Sequence, residues 1–112
     1  MRLSMLGAPK GLVESLADVP PDVTFTAKAQ AASDLFLVFV RSRRELEAQL
    51  VAVAREATRQ TVWFAWPKQA SGIKTDLNGN VVRESGLATG WVDFKICSID
   101  DTWSGLAFKR RK

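Results

Sequence analysis

A chain of 112 residues with 46% apolar and 25% charged residues has the composition of a folded globular domain and the length to bury one core. This composition excludes a disordered chain, and no apolar run approaches the roughly 20 residues that a membrane-spanning helix needs. Pro9, Lys10 and Gly11 interrupt the N-terminal apolar stretch, so we expect no secretion signal. The single cysteine, Cys97, cannot form an internal disulfide, so we expect one cytoplasmic domain at residues 1–112, with no membrane contact.

The net charge of +4 is concentrated at the C-terminus. Residues 109–112 supply four positive charges, which leaves 12 basic residues against 12 acidic residues in the body of the chain. A short basic tail is either a solvated end or a contact for an anionic partner. We expect the solvated end, and nucleic-acid contact through the tail is the alternative.

The first third of the chain predicts one helix and one strand. Residues 9–17 begin with a proline, which suits a first helical turn, and their apolar side chains recur at helical spacing. Residues 23–27 alternate in a pattern typical of a half-buried strand, which we place at an edge of the sheet.

A strand, a helix and a second strand follow. Residues 34–40 and residues 61–66 are nearly continuous apolar runs, which is typical of strands covered on both faces. Between them, Ser42 and Glu45 have the spacing of a capping box at the start of a helix. The pattern predicts a βαβ unit with parallel neighbouring strands and a right-handed crossover. The predicted buried face of its helix consists of Leu46, Leu50, Val53, Ala54 and Ala57.

The C-terminal third predicts a helix and a hairpin. Thr75 is a candidate cap for a third helix, and Gly86 is a candidate terminator. Residues 91–99 and 103–109 are joined by a tight turn, so they should pair in antiparallel fashion. Together, the elements predict an α/β fold with a mixed five-stranded sheet, a parallel centre, a C-terminal antiparallel hairpin and about three helices.

Several stretches resemble a bacterial family of unknown function. The most specific is the D-x-T-W-S-G-L turn at residues 100–106, and the resemblance covers nearly the whole chain. It implies a bacterial origin and supports the fold, and it brings no activity. The other stretches are Val62-Trp-Phe-Ala-Trp-Pro-Lys68, Asp76-Leu77 with Val82-Arg-Glu-Ser-Gly-Leu87, and Val92-Asp-Phe-Lys-Ile-Cys97.

The order of the predicted elements is also similar to the second half of a Rossmann-like methyltransferase. That similarity implies that the last strand lies between the strands of residues 61–66 and 91–99. The cofactor loop departs from the pattern, because no predicted strand precedes Gly7 and Gly11, and no G-x-G-x-x-G is present. We therefore predict no cofactor, and we do not expect S-adenosylmethionine to bind in the usual way.

Residue types exclude several classes of chemistry. The chain has no histidine, which removes histidine-based acid–base catalysis, and one cysteine cannot make a zinc cluster. We therefore expect a non-enzymatic binding or interaction domain without a metal site. The alternative is a degenerate transferase-like enzyme that uses Asp76, Asp93 or Asp100 as a base.

One cluster of cations suggests where a ligand could bind. Three arginines surround the start of the second predicted helix, where positive charge opposes the helix dipole. This helix start lies at the carboxyl edge of the sheet, the usual ligand position in open α/β folds, so we predict a site for a phosphate or carboxylate group of a small molecule or protein partner. The candidate residues are Arg41, Ser42, Arg43, Arg44, Lys68, Ser71, Asp100, Trp103 and Ser104.

The same residues have a purely structural interpretation. Arg43 and Glu47 are spaced for an ion pair within one helix, and Asp100 and Asp101 could neutralise the arginines. Trp103 is either a core residue or a platform for a ligand. A solvated or internally paired cluster is therefore the competing hypothesis.

Overall fold

The computed structural model describes residues 2–7, 24–26, 33–57, 59–99 and 102–110. Within these residues, six strands form one sheet, two helices lie beside it, and a short 3₁₀ turn follows the fourth strand. The elements are β1 (Arg2–Leu6), β2 (Thr24–Thr26), β3 (Leu35–Phe39), α1 (Arg43–Glu56), β4 (Thr61–Pro67), the 3₁₀ turn (Gln69–Ser71), α2 (Gly79–Ala88), β5 (Trp91–Ser98) and β6 (Trp103–Arg110).

The sheet has the order β2-β1-β3-β4-β6-β5. The first four strands in this order are parallel, whereas β6 runs antiparallel to both of its neighbours, β4 and β5. The α/β class, the parallel centre and the C-terminal hairpin are therefore confirmed. The edge position of β2 and the insertion of β6 between β4 and β5 are confirmed as well. All five predicted strands are present.

Strand β1 adds a sixth strand that the sequence analysis did not predict. It lies between β2 and β3 and buries side chains on both faces, among them Ser4, whose Oγ lies 2.6 Å from the Ser33 Oγ. A buried hydroxyl needs such a partner, and this pairing places a polar residue in an apolar pattern that otherwise signals a strand. The expectation that no strand precedes Gly7 is therefore wrong.

The sheet has two differently covered faces. Both helices pack on one face, where Phe36, Phe64 and Trp66 belong to the larger core cluster. The opposite face carries a smaller cluster that includes Phe39 and Trp103. Burial of each such large side chain contributes about 1.5–3 kcal/mol, so among the described residues the helix-covered face supplies the larger share of the stabilisation.

Helix α1 begins and packs as its sequence predicts. The Ser42 Oγ accepts a hydrogen bond from the Glu45 N–H at 3.2 Å, and the buried residues are those of the predicted stripe. The reciprocal bond differs from a standard capping box, because the Glu45 Oε2 accepts from the Arg41 N–H at 2.8 Å rather than from the N–H of Ser42. Glu45 therefore ties the helix to the chain that leaves β3.

Helix α2 differs from its prediction at both ends. Asn78, not Thr75, caps it, and the Asn78 Oδ1 accepts from the Val81 N–H at 2.9 Å. Gly86 does not end the helix, which continues to Ala88. The residue is needed inside the helix, because a methyl group added there would collide with the ring of Phe108.

The C-terminal cations are only partly a tail. Lys109 and Arg110 belong to β6, and the Arg110 guanidinium donates to the carbonyl oxygens of Ala54 and Ala57 at the end of α1. The same guanidinium lies 5.1 Å from the ring centroid of Trp91. Arg110 therefore satisfies helix carbonyls and complements the negative end of the helix dipole.

Some predictions fall on residues that the structure does not describe. The helix at residues 9–17, the acidic turn at Asp100 and Asp101, and residues 111–112 lie outside the described part of the chain. Among the described residues, neither helix has the length and apolar character needed to cross a membrane.

Candidate ligand site at the carboxyl edge

The parallel strands create a topological switch point between β1 and β3. Chain connections leave these neighbours in opposite directions, since β1 leads to β2 on one side and β3 leads to β4 on the other. In open α/β sheets, ligands bind outside the carboxyl ends of the strands at such a point. We call the residues that follow β1, β3 and β4 there, namely Gly7, residues 40–42 and Lys68, the carboxyl edge.

Gly7 brings two strand ends into close contact at this point. Its φ of +68° lies in the left-handed region, and a methyl group added to its Cα would lie 2.6 Å from the Phe39 carbonyl oxygen. A side chain would therefore be strained twice, by the backbone angle and by the neighbouring strand. Glycine is required for β1 to end this close to β3.

Arg41 spans the switch point. Its Nη2 donates to the Gly7 carbonyl oxygen at 3.2 Å, and its guanidinium lies 5.2 Å from the ring centroid of Trp103. Trp103 is itself buried and packs edge-on against Phe39, with ring centroids 5.0 Å apart. Trp103 is therefore a core residue, and the face of its ring contacts the Arg41 guanidinium. Neither a carbonyl oxygen nor a ring neutralises the guanidinium charge.

The N-terminus of α1 is already supplied with acceptors. The Asp76 Oδ1 accepts from the Arg43 N–H at 2.8 Å, and the Ser42 Oγ accepts from the Glu45 N–H. Free N–H groups at a helix start can bind an anion, but two of those at the start of α1 are bonded within the protein. The carboxylate of Asp76 lies at the positive end of the helix dipole, where it is stabilising.

The chain after β4 folds back onto the same edge. The Lys68 N–H donates to the Thr102 carbonyl oxygen at 2.8 Å, and the Lys68 Nζ donates to the Ser98 Oγ. Further along, the Thr75 Oγ1 donates to the Arg41 carbonyl oxygen at 2.7 Å and accepts from the Leu77 N–H at 3.1 Å. The bonds of Lys68 therefore join the chain after β4 to the β5–β6 hairpin, and the bond of Thr75 joins it to the β3–α1 junction.

The remaining candidate residues have separate positions. The Ser71 Oγ donates to the Lys68 carbonyl oxygen at 2.6 Å, so it stabilises the local turn, and Ser104 is half-buried opposite Trp66 in the β4–β6 ladder. Arg43 lies 3.9 Å from Glu47, and both side chains are exposed. Arg44 is exposed as well.

Sequence reasoning missed two residues that shape this edge. Gly7 was discounted because no strand was expected before it, although the alternating stretch ahead of it was a usable signal. Asp76 was considered as a possible base, whereas its carboxylate binds the start of α1. Its partner is 33 positions away in sequence, a separation that local patterns cannot detect.

Solved structures with similar folds are methyltransferases and Rossmann-like proteins. The ribosomal protein L11 methylase of Lactobacillus delbrueckii subsp. bulgaricus has a TM-score of 0.60 and 11% identity, covering 99% of this chain and 70% of that chain. Magnesium protoporphyrin IX methyltransferase of Synechocystis PCC 6803 has a TM-score of 0.57 and 11% identity, covering 87% of this chain and 55% of that chain. A protein of the NADB-Rossmann superfamily from Streptococcus agalactiae has a TM-score of 0.63 and 9% identity, covering 98% of this chain and 62% of that chain.

These likenesses establish the fold and nothing further. No protein-family model and no curated protein sequence matches the chain. The chain spans between 55% and 70% of the length of these three structures. The Rossmann-like architecture implied by the order of predicted elements is therefore confirmed at the level of topology.

The described residues do not fit S-adenosylmethionine. Nucleotide-binding members of doubly wound folds place an acidic residue about 20 positions after the glycine loop, where it binds the ribose. Here β2 carries Thr24, Phe25 and Thr26, and no acidic residue occurs between Asp22 and Asp34. The Arg41 cation at the switch point would also repel a sulfonium group.

Proposed function

We propose that this domain binds a small anionic ligand at the carboxyl edge between β1 and β3, with Arg41 as the anchoring cation. The observation that carries the proposal is the Arg41 guanidinium lying across the switch point, bonded to Gly7 and stacked on Trp103. This is the position at which open α/β sheets usually bind ligands. The positive charge of the Arg41 guanidinium is one that a phosphate or carboxylate would neutralise.

The chemistry of the anchor favours an oxyanion. A guanidinium offers five N–H donors in a planar fork, which matches the two oxygens of a carboxylate or phosphate. The bond to the Gly7 carbonyl oxygen uses one of these donors. Arg44, which is exposed, and Lys68, which is half-buried, are the cations that we expect to assist. Ser42, Arg43 and Ser71 would act by keeping the junction rigid.

A binding role accounts for the residues better than the transferase-like alternative. Of the three carboxylates considered as a base, Asp76 accepts from the Arg43 N–H and Asp93 pairs with Arg83 at 3.3 Å. Both are occupied with structural contacts, and Asp100 lies outside the described residues. The likeness to methyltransferases supports a shared fold, and no acidic residue occurs between Asp22 and Asp34, where nucleotide-binding folds place the acid that binds the ribose.

Nucleic-acid contact through the C-terminal cations is also less well supported. Arg110 is bonded to carbonyl oxygens at the end of α1, and the Lys109 Nζ lies 5.0 Å from the ring centroid of Phe94. Two of the four cations at residues 109–112 thus belong to the folded sheet. Salt-sensitive binding of nucleic acid by a free tail would therefore depend mainly on residues 111–112.

The test compares two ligands that differ only in the anionic group. Amide NMR spectra are recorded during titration with adenosine 5′-monophosphate and, in parallel, with adenosine. The proposal predicts that the phosphate compound shifts the Gly7, Arg41 and Ser42 amides and that adenosine does not. No movement of these amides at about 1 mM ligand, a concentration that detects interactions near −4 kcal/mol, would exclude the site.

Matched variants identify the anchor. Arg41→Gln should abolish the shifts caused by the phosphate compound, whereas Arg55→Gln, an exposed arginine in the last turn of α1, should leave them unchanged. S-adenosylhomocysteine serves as the third ligand. If it binds both variants equally well and adenosine 5′-monophosphate does not bind, the transferase-like alternative replaces the proposal.

A further inference from the structure

Strand β5 exposes more large apolar surface than any other element of the described chain. Five large hydrophobic side chains are exposed among the described residues, and three of them lie on β5. They are Val92, Phe94 and Ile96, with exposed fractions of 39%, 51% and 65%. Val92 lies opposite Lys109 and Ile96 opposite Leu106 across a bulge, so these two side chains are on different faces of the sheet, whereas Phe94 and Ile96 line one groove. Isolated exposed hydrophobic residues are ordinary on a protein surface, and a pair that lines one groove indicates an interaction surface.

The same strand forms one end of the sheet. Within the described residues, β5 pairs with β6 on one side and has no partner strand on the other. An exposed apolar edge strand is a template for pairing with another chain, and proteins that must stay monomeric usually protect such edges with charge, proline or short length. Strand β5 has eight residues and no proline.

A groove beside β5 offers a place for a side chain of an added strand. It has a volume of about 340 Å³ and lies between the start of α2 and the edge of the sheet. Its lining combines an apolar floor with a polar rim and includes Gly79, Asn80, Arg83, Phe94, Ile96 and Leu106. Strand addition characteristically takes affinity from main-chain bonds and specificity from pockets for alternate side chains.

We infer that β5 is a docking edge for an extended acidic segment of another protein. The charges around the edge select this occupant, because Arg83 and Lys95 line the groove with a single carboxylate, Asp93, which already pairs with Arg83 at 3.3 Å. Lys109 adds a third cation, whose Nζ lies 5.0 Å from the ring centroid of Phe94. A second copy of this chain would bring the same cations together and is disfavoured by their repulsion. An acidic strand would instead place its carboxylates against Lys95 and Lys109.

A bulge defines which part of β5 can pair regularly. The register with β6 shifts between Asp93 and Lys95, so that Asp93 lies opposite Phe108 and Lys95 lies opposite Ala107. A bulge interrupts a flat edge and redirects a side chain, which here is that of Phe94 at the groove. The regular stretch that remains, from Lys95 to Ser98, is long enough to fix a short peptide.

The experiment uses short synthetic peptides of defined charge. One alternates Glu and Val, the second alternates Lys and Val, and the third is the acidic peptide with a central proline, which cannot complete the ladder. Binding is followed by amide NMR shifts and by hydrogen exchange at residues 92–98. The inference predicts shifts and slowed exchange with the acidic peptide and neither effect with the other two.

Matched variants separate docking from a general effect of charge. Ile96→Lys should weaken binding of the acidic peptide at least about tenfold, as expected for a central contact of a small interface. Val51→Lys, which changes an exposed apolar residue of α1, should leave binding unchanged. Both positions are exposed, at 65% and 55%, so both variants should fold.

Three results would overturn the inference. The first is the absence of shifts at about 1 mM acidic peptide, which corresponds to negligible affinity. The second is equal binding of the acidic and the basic peptide, which would remove the argument from charge. The third is a concentration-dependent dimer in sedimentation that protects residues 92–98, which would make a second copy the occupant.

Discussion

The carboxyl edge and the outer edge of β5 end the same sheet in opposite ways. At the carboxyl edge, side chains from distant parts of the sequence satisfy the backbone, as Asp76 does for the Arg43 N–H and Thr75 for the Arg41 carbonyl oxygen. At β5, apolar side chains such as Ile96 remain exposed on a strand that, within the described residues, pairs on one side only. The backbone at the first edge is bonded by the protein's own side chains, whereas the described residues provide no such cover for β5.

The difference shows which observations point to a ligand. Polar residues that follow buried strands are abundant at any carboxyl edge, because helix ends require hydrogen-bond partners. Their presence alone therefore does not identify a site. Among the described residues, Arg41 stands out because its guanidinium contacts a carbonyl oxygen and a ring rather than a carboxylate, and β5 stands out because three of its large apolar side chains are exposed.

The largest expected effect tests how tightly the carboxyl edge is closed. Gly7→Ala should lower the free energy of unfolding by about 3 kcal/mol or more, because the new methyl group meets the Phe39 carbonyl oxygen in addition to the cost of a positive φ. Gly72→Ala is the control, since Gly72 also has a positive φ, of +80°, with open space around it. It should cost about 1–2 kcal/mol. Equal losses in urea unfolding would show that β1 and β3 do not approach closely.

The next effect tests the bond that supplies the start of α1. Asp76→Ala should lower the free energy of unfolding by about 1–2 kcal/mol, because it removes a charged acceptor from a helix N-terminus. Glu47→Ala removes a carboxylate from an exposed ion pair and should cost about 0.5 kcal/mol or less. If Asp76→Ala were as mild as Glu47→Ala in urea unfolding, the carboxyl edge would be more open than described.

A smaller effect tests the loop that follows β4. Thr75→Val keeps the shape of the side chain and removes the hydroxyl that joins the Arg41 carbonyl oxygen to the Leu77 N–H. The expected loss is about 1 kcal/mol, the usual net contribution of such a bond. Hydrogen exchange at Leu77 should accelerate in the variant, and an unchanged rate would mean that this bond does not hold the loop.

The smallest effect belongs to the open edge. Ile96→Lys should change the free energy of unfolding by no more than about 0.5 kcal/mol, because the side chain is 65% exposed. By contrast, Val62→Lys would place a charge at a position with 0% exposure and should prevent folding. A large loss of unfolding free energy for Ile96→Lys would mean that β5 is covered in the folded protein. In that case β5 would have a structural role rather than a docking role.

Sequence patterns predicted the central sheet because its signals are local. Residues 34–40 and 61–66 are continuous apolar runs, and such runs form parallel strands only where both faces are covered. The helix start at Ser42 was predictable for the same reason, since its cap lies three positions before the partner N–H of Glu45. Strand β1 was missed because burial of Ser4 depends on Ser33, which is distant in sequence.

The site was less predictable than the fold because its contacts are non-local. The sequence indicated the cluster of arginines and the edge of the sheet at which they lie. It did not indicate whether the arginines bind a ligand or pair with acidic residues of the protein. The structure assigns different contacts to neighbours, with Arg43 beside Glu47 and Arg41 across the switch point. The exposure of β5 could not be predicted either, because an alternating apolar strand is normally interpreted as half-buried.

Amide hydrogen exchange of the unliganded protein tests the contrast between the two edges most directly. The account predicts slow exchange for the Val40, Arg43 and Lys68 amides, which donate to Ala65, Asp76 and Thr102 respectively. It predicts fast exchange for the alternate amides of β5 that face away from β6. Slow exchange along all of β5, together with fast exchange at Arg43 and Lys68, would contradict it.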